Sequence, residues 1–161
     1  MSKAAELANL IGNINAGGGG VNRNIIINGA MNVAQRGTSS TGIATGGYYT
    51  LDRYKIQISN TAGRFTMTQD SSAPEGFANS MKLDCTTADT SIASDELLFI
   101  QHSIEGQNLQ TLQKGTSSAV PVTASFYVKG NASATYTVEL EDRDNTRYNS
   151  QEFPVTTDWV R

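Results

Sequence analysis

The chain has 161 residues and a formal net charge of -3, and Asp, Glu, Lys and Arg together supply only 17% of it. So low and balanced a charge leaves no basic field to hold nucleic acid, and a single cysteine excludes a disulfide within one chain. No apolar run reaches the length of a membrane span, and no basic-then-apolar leader opens the sequence, so neither a membrane anchor nor a signal peptide is expected.

Ser2 to Ile14 reads as a short helix. Ser2 can cap it, Glu6 lies near the positive end of its dipole, and Leu7, Leu10, Ile11 and Ile14 recur at helical spacing as one apolar stripe. Helix nucleation is costly, so a segment this short needs a surface to pack on. Its own domain, a partner chain and a self-associated bundle are all open. The next residues, AGGGG from Ala16 to Gly20, read as a flexible tether, because glycines lose much entropy when ordered and bring no side chain to pack. The organisation expected is an anchoring or oligomerising helix over 1-15, a Gly-rich linker over 16-21 and a β-domain over 22-161.

From Arg23 onward β signals dominate. Ile25 to Ile27 is a short β-branched run closed by the turn pair Asn28-Gly29, and alternation through Met31, Val33 and Gln35 predicts a second short strand. Thr38 to Gly47 reads as a Ser/Thr/Gly loop. Tyr48 to Ser59 predicts a strand with Tyr54, Ile56 and Ile58 on one face. Arg64 to Asp70 predicts another, with Phe65 and Met67 inward, then a turn at Pro74. Ser80 to Thr86 alternates Met81, Leu83 and Cys85 against Lys82 and Asp84, which makes Cys85 a small buried hydrophobe rather than a reactive thiol.

The LLFI run within Asp95 to Ile104 fits a buried strand or a helical turn; its shortness and the following Glu105-Gly106 favour the strand. Leu109 and Leu112 suit one helical turn. Val120 to Lys129 is a strand by alternation, and Ala134 to Asp142 pairs with it across Gly130-Asn131. Arg143 to Tyr148 is a polar loop, Glu152 to Val155 begins a further strand, and Trp159-Val160 looks like the start of one more. Short strands separated by turn residues predict an all-β antiparallel sandwich, and an end inside a strand makes the β-domain look C-terminally incomplete.

Five blocks in this order carry a resemblance. INGAMNVAQRGTS (Ile27 to Ser39) and YYTLDRY (Tyr48 to Tyr54) are followed by IQHSIEGQNLQTL (Ile100 to Leu112), VTASFYVKG (Val122 to Gly130) and FPVTTDWVR (Phe153 to Arg161). Together they resemble a domain of tail-fibre and other virion structural proteins of tailed bacteriophages. That domain opens with Asn-Gly-x-Met/Phe-x-x-x-Gln-Arg-Gly and continues with Tyr-x-x-Asp-Arg-Trp/Tyr. Tyr54 stands where Trp is usual, and Phe126-Tyr127 where Phe-Trp is common; both keep an aromatic. The resemblance implies a β-sandwich of jelly-roll type, similar to carbohydrate-binding modules, in the tail of a virion made in the host cytoplasm. Partners would be other tail proteins (tube, adaptor or baseplate) and two further copies in a homotrimer.

No catalytic constellation emerges. His102 is the only histidine, and Cys85 has no supporting motif. Glu139, Glu141, Asp142, Asp144 and Asn145 gather at a strand end, but their spacing is not that of a calcium loop, and a solvated acidic loop accounts for them. Glu139 and Glu141 fit a glycosidase pair only in a cleft. The glycine tract lacks the Lys-Ser/Thr ending of a phosphate loop. Neither an enzyme, a metal site nor a cofactor is expected. Arg36 is expected to pair with Asp52 or its neighbourhood and hold the opening segment to the sheet.

The leading function is thus the N-terminal part of a phage tail fibre or fibre-like appendage, docking through Leu7, Leu10, Ile11 and Ile14. The alternative is a module contacting host surface glycans, with Tyr48, Tyr49, Tyr127 and Tyr148 as candidates to stack on sugar rings.

Overall fold

The computed structural model describes residues 24-161. The expected helix at Ser2 to Ile14 with its four docking residues, and the glycine tether, lie outside the described residues. Seven strands follow in chain order: β1 (Ser39–Ile43), β2 (Tyr54–Ser59), β3 (Arg64–Asp70), β4 (Ser80–Thr87), β5 (Leu97–His102), β6 (Ala134–Asp142) and β7 (Arg147–Val155). A 3₁₀ helix, Gly106–Leu112, lies between β5 and β6. The strands form one three-stranded sheet, β1-β3-β4, and two pairs, β2-β5 and β6-β7, and every pairing is antiparallel. The all-β expectation therefore holds. Contacts divide the chain into two compact units, one ending at Pro121 and one running Val122–Arg161.

In the first unit, β2, β3 and β4 form where period-two alternation places apolar residues on one face. Ile43, Ile56, Phe65 and Met67 are the buried centre, and Tyr49, Ile58, Met81, Leu83 and Ile100 pack around them. All but Tyr49 come from strands β1 through β5, so the three-stranded sheet and the β2-β5 pair share one core. Loop carboxylates and amides tie the ends of the strands. Asn60, at φ +61°, occupies the left-handed turn after β2, a conformation asparagine tolerates, and its amide reaches Asp95. Asp89 accepts from Ser91 N, Ala62 N and the Thr61 hydroxyl, and the first of these leads the group in holding its carboxyl below the usual carboxylate range.

The second unit is a hairpin. β6 and β7 pair residue for residue from Ala134↔Val155 to Asp142↔Arg147 around a four-residue turn at Arg143 to Thr146. Phe153 anchors it, edge-on to Phe126 at 5.1 Å and stacked with Tyr136 at 6.3 Å. Val128 bridges Val160, and Gly130 N donates to Thr156 O at 2.8 Å. A Cβ on Gly130 would come within 2.9 Å of Val155, so only glycine lets the chain pass there.

Several expectations are corrected. Ile25 to Ile27 and Met31 to Gln35 are irregular, because side chains rather than a neighbouring strand take up their backbone groups: Asn24 bonds Ile26 N, His102 bonds Ile27 O, Gln69 bonds Met31 O and Asn28 bonds both groups of Val33. The expected loop Thr38 to Gly47 contains β1. Backbone pairing with β3 holds that strand despite its polar sequence, and Gly42, at φ +67°, provides its bulge. Tyr48 to Arg53 is turn rather than strand. Val120 to Lys129 is extended but pairs only through the Val128 bridge, and β6 takes β7 as partner in its place. The LLFI strand is not buried: Leu97, Leu98 and Phe99 are 53%, 45% and 47% exposed, since β5 is paired on one side only among the described residues. Cys85 is likewise exposed, near the frayed end of β4.

Met67 and Cys85 lie on neighbouring strands in opposite environments, which gives a direct test. Met67→Ala should lower the unfolding free energy by about 2–5 kcal/mol, and Cys85→Ala by less than about 0.5 kcal/mol, in denaturant titrations.

Candidate functional site

The segment between Asn28 and Gly37 has little regular structure and few buried side chains, so its shape rests on polar ties. Asn28 is the main one. Held at φ +58°, it donates through Nδ2 to Val33 O (2.9 Å) and Asp52 O (3.1 Å) and accepts Val33 N on Oδ1 (2.9 Å). Asp52 N then donates to Val33 O at 3.0 Å. Arg36 Nη1 closes the loop on Asp52 Oδ1 at 2.8 Å, the pairing the sequence predicts. Asp52 is the more enclosed partner, at 16% side-chain exposure against 51% for Arg36. Gln69 from β3 donates to Met31 O, and Asn79 to Asn32, which fastens the middle of the segment.

His102, at the end of β5, donates through Nε2 to Ile27 O at 3.0 Å and lies edge-on to Tyr54 at 5.1 Å. Its Nδ1 is buried without a hydrogen-bond partner. Histidine here is a structural hook, as expected for a hydrogen-bonded strand histidine. Arg53 takes the unusual φ of +75° and donates through Nη2 to both oxygens of Glu105. That bond, with the backbone amide of Glu105 second, holds the Glu105 carboxyl below the usual range.

Between these ties lies an open groove of about 450 Å³, lined by Ile27, Asn28, Val33, Gln35, Arg36, Tyr48, Asp52 and Arg53. The Arg36 guanidinium sits 5.6 Å from the centre of the Tyr48 ring, within the range of cation–π attraction. A smaller trough of about 230 Å³ runs along the β2-β5 pair beside Leu97 and Phe99.

Of the four tyrosines proposed for sugar stacking, Tyr48 lies in the groove and is half exposed. Tyr49 belongs to the core margin, and its hydroxyl bonds Thr45. Tyr127 and Tyr148 belong to the other compact unit, Tyr127 beneath the Arg161 guanidinium at 5.7 Å and Tyr148 exposed opposite Glu141. The sequence pairs Arg36 with Asp52 and, separately, singles out Tyr48 for sugar stacking, but it does not show that these residues line one groove with Gln35 and Arg53; the left-handed turn that aims Arg53 leaves no trace in residue type. In the acidic cluster, Glu139 accepts from Ser150, Asp142 accepts from Asn145, and Arg143 lies 3.6 Å from Glu141. Among the described residues no three His, Cys, Asp or Glu side chains converge on a metal position, and no helix is long and apolar enough to cross a membrane.

Compared with protein families, curated proteins and solved structures, the chain finds no match.

Two outcomes follow from the ties. Asn28→Ala, which takes the partner from Asp52 O and Val33 N while Val33 O keeps Asp52 N, should cost about 1–3 kcal/mol, whereas Arg36→Ala, losing a half-exposed ion pair, should cost at most about 1 kcal/mol; thermal unfolding distinguishes them. Because the Glu105 carboxyl is held low, its pairing supports the fold fully above the ordinary carboxylate range and is lost as pH falls through the lowered value. In Arg53→Ala the Glu105 midpoint should move up, as read by NMR titration.

Proposed function

We propose that the chain is a structural, non-enzymatic part of a virion: the N-terminal portion of a phage tail fibre or fibre-like appendage, joined to the tail and assembled as an oligomer. One observation carries this reading. The first two blocks that resemble the fibre family, Ile27 to Ser39 and Tyr48 to Tyr54, are bound to each other through Asn28–Asp52 and Arg36–Asp52, and the third block joins through Arg53–Glu105. The signature residues thus serve to seat a fold rather than to assemble a reacting group. In this reading the two sheets around the Ile56 and Met67 core are halves of a sandwich of jelly-roll type.

Exposed apolar surface supports an assembled state. Leu97, Leu98 and Phe99 stand open on β5 in the first unit, and Val122, Phe126, Tyr136 and Leu140 are exposed in the second; patches of this kind mark interaction surfaces. The stripe Leu7, Leu10, Ile11 and Ile14 would dock on a tail protein or on its own copies, and several linked contacts would gain avidity.

Sedimentation of the full chain should give a trimer that falls to a monomer when those four residues are changed to serine. A monomer before substitution, or a trimer unchanged by it, would overturn the docking role.

A further inference from the structure

The groove beside Tyr48 has a shape and chemistry that the fold alone does not require. Its floor is apolar, from Ile27 and Val33, with the half-exposed Tyr48 ring at one side. Its polar groups are unequally spent. Asn28 uses its amide fully on backbone groups. Arg36 uses Nη1 on Asp52, and Arg53 uses Nη2 on Ser103 and Glu105. Among the described residues, Nε and Nη2 of Arg36, Nε and Nη1 of Arg53 and the whole Gln35 amide make no protein hydrogen bond. Open donors therefore outnumber open acceptors, which are one oxygen each of Asp52, Gln35 and the Tyr48 hydroxyl.

The groove is also held in shape before any ligand arrives. Two of its lining residues, Asn28 and Arg53, take left-handed backbone conformations. For Arg53, a residue that rarely adopts it, this conformation persists only where surrounding bonds impose it. The ties from Asn28, Arg36 and Arg53 impose it here, and a pre-shaped groove loses less entropy on binding.

We infer that this groove binds a carboxylate-bearing sugar, a hexuronate unit of an acidic polysaccharide. A pyranose ring presents an apolar face to Ile27, Val33 and the Tyr48 edge, and its hydroxyls can meet Gln35 and Asp52. Its carboxylate suits the open Nε–Nη2 edge of the Arg36 guanidinium, a fork that recognises that group in two-pronged geometry, with single donors of Arg53 beside it. The volume is in the range that holds a small ligand, and the open side lets a longer chain continue past it. This inference does not rest on the virion reading: binding in the groove is scored on a monomer or an oligomer alike, and the assembly test above leaves the groove untouched.

The test is a titration of the full chain with tetragalacturonate, a neutral hexose tetrasaccharide and acetate, each to about 10 mM, a range that detects millimolar binding. Backbone amide shifts are followed by NMR. The expected result is saturable change at Asn28, Val33, Gln35, Arg36, Tyr48 and Arg53 with tetragalacturonate, and at least about tenfold weaker binding of the other two. Gln35→Ala, which breaks no protein hydrogen bond, and Arg36→Lys, which keeps the charge but not the fork, should each weaken binding by about tenfold with amide dispersion intact. No saturable change, change outside the groove, or equal affinity for acetate or the neutral sugar would overturn the inference. So would wild-type affinity in both variants.

Discussion

The clasp of Asn28 and Arg36 on Asp52 is the constraint on which the first unit depends. The segment after Asn28 has too few buried side chains to fold by burial, and it has no strand partner. Without the clasp Val33 N and Asp52 O would turn to water, and the Gln69 bond to Met31 O would be left as a backbone tie to the sheet. With it, the turn that leads into β2 is fixed, and Leu51 and Tyr54 are delivered to the interior. A few polar bonds of modest individual strength therefore position a core whose own stability is apolar.

The same clasp explains how a single stretch serves two ends. Its inner side spends Asn28 and one Arg36 nitrogen on the chain. Its outer side leaves Gln35, the rest of Arg36 and Tyr48 facing solvent. Rigidity on one side is what would make recognition on the other inexpensive in entropy.

Alternation in the sequence disclosed β2, β3 and β4 and their inward residues, because in these strands burial and period agree. It also placed β5, but overstated its burial: apolar character says that a strand prefers cover, not that cover is present. β1 escaped notice because Ile43 is its one large apolar residue, too little to show alternation; pairing with β3 and the burial of that side chain sustain it. Val120 to Lys129 shows the reverse, a strand-like pattern without a paired neighbour along most of its length, so that β6 was matched with the wrong partner. Arg36 with Asp52 was legible because both charges flank apolar segments that must meet. The turn at Arg53 was not, since arginine seldom signals a left-handed backbone.

The hairpin of β6 and β7 carries one more consequence. Its nine matched positions are held by ladder bonds, while Val155 is the only buried residue in that unit. Ladder bonds bordered by water are the first to open in a native protein, because little apolar area is surrendered when they part. The first unit, closed around Ile56 and Met67, opens only with its core. Amide hydrogens in the two units should thus exchange with solvent on separate clocks, the hairpin's fast and the core strands' slow.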